Sequence, residues 1–224
     1  KNFLELLMVH SAGAASVSGF TKAISGKENP GQIGGNQHLE ADLVIAGGGM
    51  GGCAAALAAL RNGLSVIMTE ETEWIGGQFT QQGVPPDEHQ WIETHGGTQL
   101  YRNLRTEIRA YYKRYYPLTK EAAEKQYLNP GDGAVSRICH EPLPALVALY
   151  NLFAPYLSSG RFTLLTGTKI VEADIDRDHV HALRAKKQRL GNTLFLKALF
   201  FIDATELGDL LPLTGTEYTT GAES

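Results

Sequence analysis

The sequence predicts an α/β fold built on a parallel sheet, and three observations carry that prediction. A short apolar run, Ala41 to Ala46, leads directly into "GGGMGG" at residues 47–52. An Ala/Leu-rich stretch and a second apolar run ending at Glu70 follow, so that strand, glycine turn, helix and strand make a βαβ unit of about thirty residues. Far downstream, "TLFLKALFFIDATELGDLL" supplies another buried strand, Ala198 to Ile202, closed by a polar turn.

The composition sets the frame. With 224 residues, 43% hydrophobic and 20% charged, the chain has the make-up of a globular protein and not of a disordered one. A net charge of -4 provides no broad basic field, which argues against a nucleic-acid partner. No stretch reaches the roughly 18 uninterrupted apolar residues of a membrane span. Cys53 lies inside the glycine turn, where a disulfide would block close approach, so Cys53 and Cys139 read as free thiols.

Regular patterning starts at Leu39 and divides the chain into residues 1–38 and 39–224. The first part opens "KNFLELLMVHSAGAASVSGF": a basic start, a weakly apolar middle and an A-x-A site at Ala12 to Ala14 resemble an export signal. The "KNFLEL" opening is similar to the tail of a twin-arginine signal, which implies a periplasmic or exported protein; an amphipathic helix or a loose arm on a cytoplasmic protein is the alternative.

Within the second part, the helix spans Gly51 to Asn62, and Gly63 is placed to end it in a left-handed conformation. Residues 71–141 form a less regular insertion. There Leu100, Leu104, Ile108, Tyr111 and Tyr115 recur at helical spacing, while Arg102, Arg105, Arg109 and Lys113 line another face. That basic stripe either steers an anionic ligand or is an ordinary solvated face. "PLPALVALYNLFAPYLSSG" predicts a second helix closed by Gly160, and residues 161–187 predict a hairpin or small meander with its turn at "DIDRD".

The glycine spacing carries the chemistry. Gly47, Gly49 and Gly52 form G-x-G-x-x-G between a strand and a helix. The first glycine permits the tight turn, the second admits a pyrophosphate to the main chain, and the third lets helix and strand pack closely. The helix N-terminus favours the phosphate charge. Glu70, at the end of the second strand, is placed to accept hydrogen bonds from both hydroxyls of an adenosine ribose and to repel a 2′-phosphate. A dinucleotide is the expected ligand.

"DLVIAGGGMGGCAAALAALRNGLSVIMTE" resembles the N-terminal signature of flavoproteins of the glutathione-reductase type, with Ala56 four residues after the third glycine and Gly63 and Val66 leading to Glu70. "WIGGQFT" resembles the Gly-Gly pair, here Gly76 and Gly77, that lies against FAD in that superfamily. "FFIDATELGDLLPLTG" resembles its apolar strand and Asp-Ala-Thr-Gly turn, with Glu206 standing where glycine is expected. The resemblance implies a Rossmann-like FAD-binding fold and an FAD-dependent oxidoreductase that moves a hydride from a small organic substrate to flavin. It implies contacts to FAD from Gly47, Gly49, Met50, Gly52, Glu70, Glu71, Gly76, Gly77, Gln78, Ile170 (to the adenine, by main chain), Ala204 and Thr205. Relatives also carry a substrate domain and a later Gly-Asp segment, so the chain is expected to be one part of a larger enzyme, completed by further polypeptide or by a second chain. Two readings stay open beside it: a flavoprotein without net redox chemistry, such as a hydratase or isomerase, and a non-catalytic nucleotide-binding subunit.

Other groupings say less. Cys139, His140 and Glu141 are adjacent and cannot easily converge on one metal, and His179 with His181 lack a third ligand. No G-x-S-x-G nucleophile motif occurs. His89 and His95 are the candidates for covalent flavin attachment that the resemblance allows. No acid or base in the insertion stands out as catalytic.

Overall fold

The computed structural model describes residues 37–189 and 191–221; the export-signal reading of the first twenty residues lies outside them. Strand β1 (Gln37–Ala46) enters the glycine turn, helix α1 (Met50–Arg61) follows, and β2 (Val66–Thr69) returns parallel to β1 with Leu43 opposite Val66 and Ala46 opposite Thr69. Helix α1 stops because Gly63, at φ +92°, turns the chain, its N–H donating to Leu60 O and that of Leu64 to Ala59 O.

The insertion contributes α2 (Gln78–Gln81), α3 (Gln99–Tyr115) and α4 (Lys120–Glu124). Helix α5 (Pro142–Ser158) then leads into β3 (Phe162–Leu165), which pairs parallel with β2. Strands β4 (Thr168–Asp176), β5 (His179–Lys187) and β6 (Thr193–Asp203) form an antiparallel meander whose turn holds Arg177 at φ +53°. Helix α6 (Leu210–Thr214) follows it.

The sheet order is β3-β2-β1-β6-β5-β4, and β6 is the hinge of the arrangement. At 11 residues it begins five residues before the predicted Ala198, and its long edge against β1 pairs parallel from Leu194 to Asp203. Only its first half, Thr193 to Lys197, also pairs with β5. The sheet therefore curls, and the meander folds back over the parallel strands.

That curl covers the second face of the parallel strands. Side chains alternate along β1: Leu43 and Ile45 join α1, α3 and α5 in one buried cluster with Leu57, Leu104, Leu146 and Phe153. Val44 and Ala46 face the other way, into a second cluster with Ile67, Ile170, Leu183, Ala185, Leu196 and Leu210. Helices cover one face of β1 and β2 and the meander covers the other. Exposed apolar side chains remain on the outer half of β6 and the turn after it, where Leu199, Phe200 and Leu207 are 72%, 64% and 89% exposed, and on β4 at Val171 and Ile175.

The basic stripe on α3 is also corrected. Arg105 and Arg109 are buried, and the apolar seam runs through Leu104, Ile108 and Tyr112, not Tyr111 and Tyr115. The helix is rotated by about one residue from the amphipathic expectation because carboxylates wait on that side. Arg105 pairs with Glu88 and Glu93, and Arg109 pairs with Glu93 at 2.5 Å while its Nε donates to Leu128 O at 2.8 Å. The ion pairs pin the irregular loop before α3 to the helix, and the Arg109 hydrogen bond to Leu128 O pins the segment after it.

Candidate functional site

The ends of β1, β2 and β6 meet at one edge of the sheet, where the chain must turn three times in little space. Gly47 N–H donates to Thr69 O at 3.0 Å and Ala204 N–H to Ala46 O at 2.8 Å, so the three turns are tied together by main chain alone. Gly47 sits at φ +97°, and a β-carbon there would fall 2.3 Å from Ala204 O. Only glycine fits. Gly52 has the packing role expected of the third glycine: a β-carbon on it would lie 2.0 Å from Gly47 O.

Gly49 differs from both. It caps α1 with an extended backbone (φ -62°, ψ -177°), and a β-carbon built on it would meet one atom, Glu206 Oε1 at 3.2 Å. The space beside it belongs to a cleft and not to packed protein. Helix α1 carries no side-chain cap and no acidic residue in its first turn, which leaves its N–H groups and positive dipole end available to an anion.

The cleft has a volume of about 230 Å³. Of the residues expected to hold cofactor, Gly47, Gly49, Glu70, Glu71, Gly77, Ile170, Ala204 and Thr205 line it. Met50, Gly52, Gly76 and Gln78 do not. Gly76, at φ +106°, faces Leu149 and Thr80, and its N–H donates to Gly48 O at 2.8 Å, joining the two glycine turns. Met50 packs on the helix-side cluster, and Gln78 is an exposed residue opening α2.

Glu70 is buried, with its carboxylate oriented by three donors. Oε2 accepts from Gly48 N–H at 2.9 Å, and Oε1 accepts from Thr72 N–H at 2.9 Å and from Thr72 Oγ1 at 2.7 Å. A carboxylate has about four acceptor positions, so one remains for a ligand hydroxyl. Strand β4 is drawn to the same edge by Thr168 N–H donating to Glu70 O and Gly167 N–H to Thr72 O, at 2.9 and 2.8 Å. This delivers Ile170 to the cleft wall.

The third turn is stiff despite Glu206 replacing the expected glycine. Asp203 Oδ1 accepts from Thr205 N–H and Oγ1, Asp203 Oδ2 accepts from Leu210 N–H, and Thr205 Oγ1 accepts from Asp209 N–H, all within 3.0 Å. The left-handed residue of this turn is Gly208, at φ +71°, so Glu206 carries no backbone strain.

Several lining residues were not among the expected cofactor contacts: Thr72, Gln81, Gln82, Lys169, Glu206 and Asp209. Lys169 bridges the rim, 3.1 Å from Glu71 and 3.4 Å from Asp209, and the hydrogen bond with Glu71 and the nearby Asp209 charge raise its pKa. Thr72 was open to inference as the hydroxyl two residues after the acid, a common local partner. The others come from loops brought together only by the fold. Cys53, beneath the turn, is buried and donates to Gly48 O at 3.3 Å; burial first, and the Glu70 charge second, push its thiol up to about 12. Among the described residues no three His, Cys, Asp or Glu side chains are grouped to hold a metal, and no helix is long and apolar enough to cross a membrane.

Residues 42–224 match the family model described as FAD dependent oxidoreductase. The chain belongs to that family. Among curated proteins, no sequence matches it. Solved structures similar to this family member include the Bacillus halodurans glycerol-3-phosphate dehydrogenase complexed with FAD, 16% identical over 86% of this chain and 38% of that one, TM-score 0.48. The Thermovibrio ammonificans THI4 structure is 15% identical over 80% and 65%, TM-score 0.46. Mycobacterium smegmatis Sdh1 in complex with UQ1 is 18% identical over 75% and 34%, TM-score 0.45. The chain thus spans only about a third of the length of the first relative found, 34%.

The residues present fit the family's cofactor. Gly49 opens a cradle that any β-carbon would narrow, an uncapped helix faces it, and the buried Glu70 keeps an acceptor position toward the same space.

Proposed function

We propose that the cleft holds the adenosine diphosphate half of FAD and that the whole protein is an oxidoreductase of the glutathione-reductase-type superfamily, taking a hydride from a small organic substrate. The observation that carries this reading is the convergence of Gly49, Glu70, Gly77, Ile170 and Thr205 on one cleft at the uncapped start of α1. In it, the Gly49 turn and α1 receive the diphosphate, Glu70 accepts from the ribose, and Ile170 on β4 flanks the adenine. When bound, the flavin supplies the hydride acceptance; the chain's residues bind and orient it.

A cleft of about 230 Å³ is below the roughly 300–1,000 Å³ usual for a whole small-molecule site. It would therefore hold only part of a cofactor the size of FAD. Leu199 and Phe200 on β6 and Leu207 in the turn after it are exposed apolar side chains that a further segment or a second chain would bury in completing the flavin pocket.

The test is an absorption spectrum of the purified intact protein with chemical identification of the released cofactor, followed by anaerobic mixing with candidate substrates. A flavin spectrum that bleaches is the expected result. A preparation holding only a nicotinamide dinucleotide would overturn the flavin reading, and a flavin never reduced by any substrate would favour the non-redox one. Export by the twin-arginine route belongs to the same proposal, because a cofactor loaded in the cytoplasm requires transport of a folded protein; cell fractionation that finds only cytoplasmic protein retaining residues 1–20 would refute it.

A further inference from the structure

Two carboxylates flank the glycine turn, and they are not equivalent. Glu70 is buried and bonded to Gly48 N–H. Glu206 is exposed, and among the described residues its carboxylate has no hydrogen bond or ion pair. Yet it leans inward. Its Oε1 lies 3.2 Å from where a β-carbon on Gly49 would be and 3.4 Å from where one on Gly77 would be; that Gly77 position is itself 3.8 Å from Met50 N. The carboxylate spans the gap between the two glycine turns, at the positive end of α1. The turn behind it is held by Asp203 and Thr205, so the side chain is projected from a fixed base.

We propose that Glu206 sets the affinity of the diphosphate seat: its carboxylate occupies the approach to Gly49 and must be displaced by any ligand that brings phosphate there. The inference rests on the reading of the cleft as a dinucleotide site. Electrostatics makes the effect repulsive. The other charged groups around the seat are Glu70 and Glu71 from the end of β2, Asp209 from the turn after β6, and Lys169 from β4, which is engaged by Glu71 and Asp209. A diphosphate entering this ring meets an unneutralised carboxylate at its own position, and only the α1 dipole favours it. Because Glu206 is exposed, it can swing into water, so it tunes binding and does not abolish it. Screening limits the effect to about tenfold in affinity, and added salt shrinks it.

The probes are ADP and adenosine, titrated by calorimetry into the flavin-stripped intact protein, wild type and Glu206→Gln, with Glu206→Ala as a second variant and thermal melts to show that each is folded. ADP should bind the variants about tenfold more tightly than wild type, adenosine should bind all three alike, and the ADP gap should narrow as salt is raised. Equal ADP affinity would overturn the role of Glu206, as would weaker binding by the variants, which would make the carboxylate a ligand contact, or a gain shared by adenosine. Failure of ADP to bind any of the three proteins would sink the dinucleotide reading itself, and this inference with it.

Discussion

The Gly48 main-chain N–H donates to Glu70 Oε2 at 2.9 Å, so the acid at the end of β2 holds the shape of the glycine turn that follows β1. One carboxylate thus has two tasks, bracing the loop and facing the cleft. Replacing it by Glu70→Gln substitutes a neutral acceptor for the charged one and sets an amide N–H₂ against the donors Gly48 or Thr72. FAD retention should weaken by about 1.5–3 kcal/mol, with a smaller loss of fold stability. Titration of flavin into stripped protein, beside a thermal melt, separates the two losses; unchanged affinity would remove Glu70 from the site.

The glycines should divide by what their β-carbons would meet. At Gly49 only the movable end of Glu206 stands nearby, so Gly49→Val should fold normally and lose cofactor. Gly48, an x position of the motif and therefore the milder site by sequence, is tightly enclosed: a β-carbon would lie 2.9 Å from Glu70 Cβ and 3.1 Å from Ile75 Cγ2. Gly48→Ala should cost about 1–3 kcal/mol of stability and disturb Glu70 as well. Denaturation midpoints measured on stripped protein check this, and equal stability of the two variants would contradict it.

Arg105, Arg109, Glu88 and Glu93 form a buried network in which removing one charge strands another. Arg105 Nε already lacks a partner among the described residues. Glu88→Gln should therefore destabilise the protein by about 3 kcal/mol, whereas Glu121→Gln on exposed α4 should change little. Urea unfolding of both variants compares them directly.

His140 gives the fold a pH dependence. Its Nδ1 lies 2.9 Å from Glu141 O and must donate there, and its buried Nε2 has no partner among the described residues. Burial lowers its pKa, so the folded state resists protonation. Above about pH 6.5, its ordinary value, the ring is neutral in both states. As pH falls below that, the unfolded chain takes up the proton first, and stability declines until the folded pKa is reached. In His140→Phe this part of the decline should vanish; a melting curve whose pH profile is unaltered by the substitution would assign the decline elsewhere.

What the sequence determined on its own is the local geometry with short reach. Glycines at 47, 49 and 52 between a strand and a helix, an acid at 70 and a terminating glycine at 63 each depend on neighbours within one βαβ unit, and the structure bears out the elements they mark. The β4–β5 hairpin was legible from alternation, but β3, expected within the same hairpin or meander, pairs parallel with β2 instead, because period-2 patterning says which face is apolar and not what covers it or pairs with it. Only the tertiary structure decided that β6 pairs with β1 from Leu194 to Asp203 and with β5 along its first half, curling the meander over Val44 and Ala46. Likewise the periodicity of α3 treated Arg105 and Arg109 as surface residues, since charge favours water unless a partner is supplied. Glu88 and Glu93, from a loop without periodic signal, supply it across 17 and 16 residues of chain, and that long-range neutralisation is what brings the arginines inside.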